Sequence, residues 1–377
     1  MSDPIIDNDS KTGSFDVAAP ETLSALLKQA VAAGASDVHF QQDGDGGEVL
    51  FRMDGLLVPV ARWPKELASR VAGRIKYLAR LKTYEEHLPQ DGRIDRADAG
   101  LAMEVRVSTY PTVHGEKIVL RMFEQSEVRP LEQLGFGAEV QSLLKSVLTQ
   151  DTGLVLLTGP AGSGKTTTIY ACLRFLAGLG GRHIITVEDP VEQIVPGVMQ
   201  TEVQEARGLT YAVAAKHLLR QDPQVLVLGE VRDDETAAQA VRAALTGHLV
   251  VSTLHAGSCA GVFERLLMMS GDRHAAVSAL ELVLNQRLMR RKCAGCGGSG
   301  CEACFKTGWR GRVPLVEWLR VDGTARRLAR SGELESLRPG RSLGDAAREV
   351  LASGLSDHTE YQRLFGGLPE AGPATMS

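Results

Sequence analysis

Ten residues, Gly159-Pro160-Ala161-Gly162-Ser163-Gly164-Lys165-Thr166-Thr167-Thr168, fit the Walker A or P-loop pattern G-x-x-x-x-G-K-[ST]. The chemistry of that spacing is phosphate binding: glycines let backbone N–H groups close around an anion, and a helix beginning at the lysine adds its positive end. Lys165 is placed to reach β- and γ-phosphates, and the Thr166 hydroxyl to sit on Mg²⁺. The motif needs a strand before it and a helix after it. The apolar run Leu154-Val155-Leu156-Leu157 reads as the strand, and Thr166 to Gly178, with Ile169, Cys172, Leu173 and Leu176 at helical spacing, reads as the helix.

Two further apolar runs end in acids. Ile184-Ile185-Thr186-Val187 leads into Glu188-Asp189-Pro190-Val191-Glu192, and Val225-Leu226-Val227-Leu228 into Gly229-Glu230-Val231-Arg232-Asp233. Carboxylates just past the carboxyl ends of strands stand where open α/β sheets hold their ligands, able to support a Mg²⁺ shell or orient an attacking water. Gly229 stands where a conventional Walker B strand has aspartate, so Glu188, Glu192 and Glu230 share the role, and the sequence does not choose among them. After the next strand come Thr246-Gly247-His248 and Ser252-Thr253-Leu254-His255, and both histidines read as near the carboxyl end of a core strand, able to sense a γ-phosphate by donating a hydrogen bond. Arg93, Arg106 and Arg121 lie on half-exposed strands far upstream. Such arginines are usually solvated, but one supplied by another domain or subunit can neutralise a transferring phosphoryl group.

Cys293, Cys296, Cys301 and Cys304 form C-x2-C-x4-C-x2-C. In a reducing compartment that spacing favours one tetrahedral, structural Zn²⁺ over disulfides, and Gly297, Gly298 and Gly300 permit the tight turns between ligands. Cys172 and Cys259 sit in apolar contexts and read as buried.

The elements that position these groups follow from periodicity. Leu23, Leu26, Leu27, Ala30 and Val31 mark an amphipathic helix, Ser36 to Phe40 a strand, and Asp54-Gly55 a hairpin turn between 49–53 and 56–60. A helix over Pro64 to Arg80 and alternating strands around Val105 and Leu120 complete a small α+β domain over 20–125. Residues 126–137 read as a linker. A RecA-like P-loop α/β core with a parallel sheet follows over 138–290, with strands at 154–158, 183–187, 225–228 and 249–253. The cysteine module occupies 291–313 and a helical region 314–365.

Composition sets the outer bounds. At 377 residues, with 44% hydrophobic and 23% charged residues, the chain has the make-up of a soluble globular protein. A net charge of −4 argues against bulk capture of nucleic acid, so no direct nucleic-acid binding is expected. No apolar run approaches the roughly 18 residues of a membrane span. Met1 to Pro20 lack the order of a signal peptide, so a cytoplasmic location is expected, with residues 1–19 and 366–377 as disordered tails.

Taken in order, these motifs resemble the secretion ATPase superfamily, specifically type II secretion and type IV pilus assembly ATPases of the GspE and PilB type. The resemblance spans about 20–365. It rests on Ala35-Ser36-Asp37-Val38-His39, Pro89-Gln90-Asp91-Gly92-Arg93, Arg106 to Glu116, the Walker A loop, the "Asp box" Val187 to Glu192, Leu219 to Pro223, Gly229 to Asp233 as Walker B, the "His box" around Thr246 to His255, Asn285-Gln286-Arg287-Leu288, and Gly300 to Arg312. It implies a cytoplasmic homo-hexamer that hydrolyses ATP with Mg²⁺, its N-domain arginines reaching the nucleotide. Domain rotation would turn an inner-membrane platform protein that adds pilin-like subunits, with membrane association only through partners. Glycine before the Walker B glutamate is usual in that family. The chain is expected to lack the long N-terminal recruitment region of many relatives, and its second and third cysteines are unusually close. Retraction motors resemble it through the core but as a group lack the four cysteines, which favours assembly or secretion over retraction or DNA transfer. A non-hydrolysing, nucleotide-gated adaptor is the alternative from another class.

Overall fold

The computed structural model describes residues 19–123 and 128–367. Most of the two expected tails, and the start of the expected linker, lie outside those residues. The chain divides into two compact units, one of residues 1–126 with 293–311 and the other of 127–292 with 312–377.

The first unit contains α1 (Ala19–Ala33), β1 (Asp37–Gln42), β2 (Gly46–Met53), β3 (Leu56–Pro64), α2 (Lys65–Leu78), β4 (Gln90–Ile94), α3 (Arg96–Ala99), β5 (Glu104–Thr112) and β6 (Gly115–Phe123). The strands form one antiparallel sheet in the order β3-β2-β1-β6-β5-β4. Asp54 and Gly55 both take positive φ, 47° and 85°, as the tight β2–β3 turn requires. Strand alternation sends Val38, Phe40, Phe51, Val105, Val107, Ile118 and Leu120 into a core with Leu23 and Leu27 of α1 and Ile75 of α2. The intervening residues, Arg106 and Arg121 among them, therefore line the opposite face.

Of the module expected over 291–313, residues 293–311 belong to this unit. Gly311 N donates to Asp54 Oδ2 at 2.6 Å, and the Phe305 ring meets Phe51 edge-on at 6.4 Å.

The second unit runs α4 (Ala138–Leu148), β7 (Gly153–Thr158), α5 (Lys165–Leu179), β8 (Ile184–Glu188), β9 (Val198–Glu202), α6 (Tyr211–Leu218), β10 (Val225–Leu228), α7 (Asp234–Leu245), β11 (Leu249–Thr253), α8 (Cys259–Met269), α9 (Arg273–Ala279), β12 (Leu280–Lys292), β13 (Trp309–Arg320), α10 (Gly323–Ser331), α11 (Leu343–Ala352) and α12 (His358–Phe365). Its sheet has the order β13-β12-β7-β11-β10-β8-β9, and the neighbours from β12 to β9 pair in parallel. Both faces are buried: Leu154, Leu156, Leu226, Leu228 and Val250 enter one core cluster, and Val155, Leu157, Val225, Val227 and Val251 the other. That two-sided burial is why the four central strands read as unbroken apolar runs.

The expected helical region over 314–365 needs correction at its start. Residues through Arg320 form β13 beside β12, and helices begin only at Gly323. Both strands interleave arginines with apolar residues, which masks them as strands in the sequence. The final helix is fastened to the sheet by a buried carboxylate: Glu360 accepts from Arg290 N at 2.9 Å, Arg290 Nη1 at 3.1 Å and Arg363 Nε at 2.6 Å.

Candidate active site

The Walker A loop joins β7 to α5 at the carboxyl edge of the parallel sheet. Gly164, at φ 94°, is the N-cap of α5, and no side chain caps this end. The first-turn N–H groups thus lack intrahelical acceptors and suit an anion. Ala161, Gly162, Thr166 and Thr167 are exposed, while Ser163 is buried. Gly159 has φ 135°, and a Cβ there would stand 2.3 Å from the Gln286 carbonyl oxygen, so only glycine fits. Beneath the loop Gln286 Nε2 donates to Thr168 Oγ1 at 3.0 Å. Lys165 Nζ is folded onto the loop's own carbonyls, Gly159 O at 2.7 Å and Pro160 O at 3.1 Å. Burial lowers its pKa, with the Glu230 charge opposing. Those carbonyls are weaker partners for an ammonium than a phosphate oxygen would be.

Two of the three candidate carboxylates have clear surroundings. Glu188, the last residue of β8, is buried and accepts from Thr186 Oγ1 at 2.6 Å, Gln200 Nε2 at 3.0 Å and the Tyr170 hydroxyl. Glu230 follows β10 and bridges His255 Nε2 at 2.9 Å and Arg232 Nε at 2.9 Å. Arg232 also reaches Asp189 at 3.3 Å. The loop carrying Glu230 is held in place by Thr253 Oγ1 donating to Gly229 O at 2.8 Å. The loop after His255 is clasped to β7, because Thr158 Oγ1 donates to Ala256 O and accepts from Ala256 N, each at 2.8 Å. Glu192 is half-buried, and its backbone N–H donates to the Tyr170 hydroxyl at 2.8 Å.

Only one of the two histidines stands at this edge. His248 precedes β11, with its carbonyl accepting from Gly153 N at 3.2 Å and its Nδ1 2.9 Å from Ala243 O. It is therefore at the amino end of the strand that His255 follows, and the expectation that both lie near the carboxyl end is corrected for His248.

In the first unit Arg93, Arg106 and Arg121 come together. Arg93 is directly opposite Arg106 across β4 and β5, and Arg106 opposite Arg121 across β5 and β6. The row continues to Asp37, which accepts from Arg121 Nε at 3.0 Å, while Arg93 lies 3.5 Å from Glu104. A cavity of about 440 Å³ opens over the three arginines, Asp91 and Ser108. Like charges directly opposite each other cost a strand pair stability, a cost that Asp37 and Glu104 beside the row offset in part.

The four cysteines converge. Their sulfurs all lie within 4.8 Å of one another, with Cys293–Cys301 and Cys296–Cys304 at 3.9 Å and Cys301–Cys304 at 3.7 Å. A tetrahedron with metal–sulfur bonds of about 2.3 Å has edges of about 3.8 Å, so the set fits a tetrahedral metal. Desolvation works to raise the Cys304 thiol, but N–H donors from Cys301 and Gly308 outweigh it and bring the group to about 6. Burial alone pushes Cys172 up to about 12, so that thiol is inert.

Sequence reasoning missed Tyr170 and Gln200, which carry no motif of their own and act on the acids only through folding, and it gave no role to Arg232, which stands within the Gly229 to Asp233 run. Gln286 had been noted within a motif but given no role.

The family of type II/IV secretion system proteins matches residues 16–363. Type II secretion system protein HxcR of Pseudomonas aeruginosa is 41% identical over 358 residues, covering 91% of this chain and 76% of its own length. Type II secretion system protein E of Dickeya dadantii is 39% identical, covering 91% and 73%. The type IV pilus assembly ATPase PilB of Myxococcus xanthus is 38% identical, covering 80% of this chain and 58% of its own. Among solved structures, the pilus retraction motor PilT with bound ADP superposes with a TM-score of 0.66 at 27% identity, covering 90% of this chain and 96% of its own. The Legionella pneumophila ATPase DotB, at 0.73 and 20% identity over 96% and 98%, shares the fold. The Walker A loop, the acids at the strand ends and this extent of similarity lead to one conclusion: the chain belongs to the type II/IV secretion system protein family.

Proposed function

We propose that this chain is an ATPase, converting ATP and water to ADP and phosphate, that powers pilin or pseudopilin assembly as a cytoplasmic hexamer acting on an inner-membrane platform protein. The observation that carries the reading is the uncapped start of α5 with Lys165 beside it, next to the Glu230–His255 pair at the same sheet edge. The backbone of Gly162 to Thr166 would hold the phosphates, Lys165 would leave the loop carbonyls for the β- and γ-oxygens, and Thr166 would hold Mg²⁺. Bound Mg²⁺ neutralises charge on the β- and γ-phosphate oxygens and orients them. Glu188 already accepts from three donors, so orientation of the attacking water falls to Glu192 or Glu230. His255 is suited to report the γ-phosphate to Glu230. The arginine row is the proposed source of positive charge for the departing phosphoryl group, from the same or a neighbouring protomer.

The cysteines are proposed to hold one structural Zn²⁺. Freshly purified protein should carry about one zinc per chain, and Cys301→Ser should carry none while its thermal midpoint falls by more than about 5 °C. Wild-type protein with well under one equivalent contradicts the zinc assignment.

The machine-level reading is tested in the native cell. Deletion of the gene should abolish secretion or piliation, restored by the wild-type chain and not by Lys165→Ala. Hyperpiliation on deletion would instead mark a retraction motor. Tight nucleotide binding without turnover at saturating Mg·ATP would mark an adaptor.

A further inference from the structure

The Tyr170 hydroxyl lies one helical turn beyond Thr166 on α5 and is buried. It accepts from Glu192 N at 2.8 Å and Gln193 N at 3.1 Å, and donates to Glu188 Oε2. A phenol has one O–H donor and two lone pairs, so all of its hydrogen-bonding capacity is used. Two N–H groups pointing at the oxygen force its proton toward Glu188, which fixes that carboxylate as the acceptor. Burial first, and Glu188 next, hold the phenol well above its ordinary value, so it remains a donor. Gln200 completes the arrangement from β9: its Nε2 donates to Glu188 Oε1 at 3.0 Å and to Gln193 O at 2.9 Å, and its Oε1 accepts from Val195 N at 2.7 Å.

From this geometry we infer that Tyr170 is a positioning residue for hydrolysis: it ties the phosphate-binding helix to the 188–193 loop, with Glu188 as the anchor and Glu192 as the side chain whose place on the backbone is set. The inference rests on the ATPase reading. A shift of α5 on phosphate binding would be carried to the acidic loop through one oxygen, without any contact between Tyr170 and the nucleotide. Gln200 acts on the same loop from its other side. The side-chain hydrogen bonds of Tyr170 and Gln200 all go to the 188–195 segment and not to Lys165 or Thr166, so binding and turnover should separate.

The test compares kcat with the dissociation constant for a Mg-bound, non-hydrolysable ATP analogue in the full chain. Tyr170→Phe should lower kcat by at least about tenfold while analogue affinity stays within about twofold of wild type. Glu192→Gln should lower kcat too, and the double variant should be no slower than Glu192→Gln alone, since Tyr170 acts by placing the carboxylate that Glu192→Gln has already removed. Gln200→Ala, on a half-exposed edge strand, should lower kcat severalfold with affinity retained, and it carries the test if Tyr170→Phe does not fold. Unchanged kcat in Tyr170→Phe or Gln200→Ala, losses that multiply in the double variant, or analogue affinity that falls in step with kcat would each overturn the inference. A wild-type chain that hydrolyses no ATP fails the ATPase reading instead, so the two failures are distinguishable.

Discussion

The two sheets of this molecule carry their polar chemistry in different places. The parallel sheet of the second unit is covered on both faces, and its reactive groups stand on the edge where β7, β8, β10 and β11 end. The antiparallel sheet of the first unit has one face filled by α1 and α2, so its charged row runs across the middle of the other face. Helices on both sides leave a parallel sheet only its ends for a ligand, whereas alternation hands an antiparallel sheet a whole free surface. The first arrangement gathers backbone N–H groups and acids around one loop. The second gathers side chains from strands remote in sequence, and it does so against their mutual repulsion.

If the edge does the binding and the row assists only in turnover, variants should split accordingly. Lys165→Ala should reduce ATP hydrolysis by about 1000-fold or more with the fold retained by circular dichroism, since Lys165 is the one ammonium at the phosphate loop. Undiminished turnover would refute the edge assignment. Arg106→Ala, at the centre of the row, should lower kcat by about 100-fold while analogue affinity holds and stability changes by no more than about 0.5 kcal/mol. A loss of analogue affinity in proportion would move the row from assisting to binding. Within the second unit, His255→Ala should cost about tenfold in kcat, and His248→Ala less than about twofold, because only His255 pairs with Glu230. Equal effects would erase the distinction between the two edges of that sheet.

The smallest expected effect concerns the fastening of α12. Burial works to raise the Glu360 carboxyl, but Arg363 and Arg290 outweigh it and hold the group below the ordinary glutamate value of 4.5. A depressed carboxyl contributes its full stabilisation above the unfolded-state value and loses it as pH falls through the lower folded-state value. Thermal midpoints should therefore drop more steeply below pH 4.5 in wild type than in Glu360→Gln, which lacks that titration. Parallel pH profiles would show that the buried contact contributes nothing.

The edge was largely legible because its parts are contiguous: an apolar strand, a glycine loop and a helix start fall within 153–179, and Glu188 and Glu230 directly follow apolar runs. The row was legible only as three separate arginines. Their adjacency depends on the registers of β4, β5 and β6, which no local pattern encodes. His248 was misplaced because a histidine near a strand reads alike at either end. β9 was missed because none of Val198–Glu202 is fully buried, as befits an edge strand, so no apolar run marks it. Tyr170 was invisible as a functional group because its helical spacing reads simply as core, while its partners lie 18 to 23 residues onward. Glu188 is distinguished from the other two acids by its hydrogen bonds and not by its motif.

The central claim is that a triphosphate is held by the start of α5 and displaces the lysine from its own loop. An experimentally determined structure with a Mg-bound, non-hydrolysable ATP analogue tests this most directly. The account predicts phosphate oxygens among the N–H groups of Gly162 to Thr166, with Lys165 Nζ moved off the Gly159 and Pro160 carbonyls onto them. A bound nucleotide elsewhere, or one beside a Lys165 still folded onto those carbonyls, would contradict it.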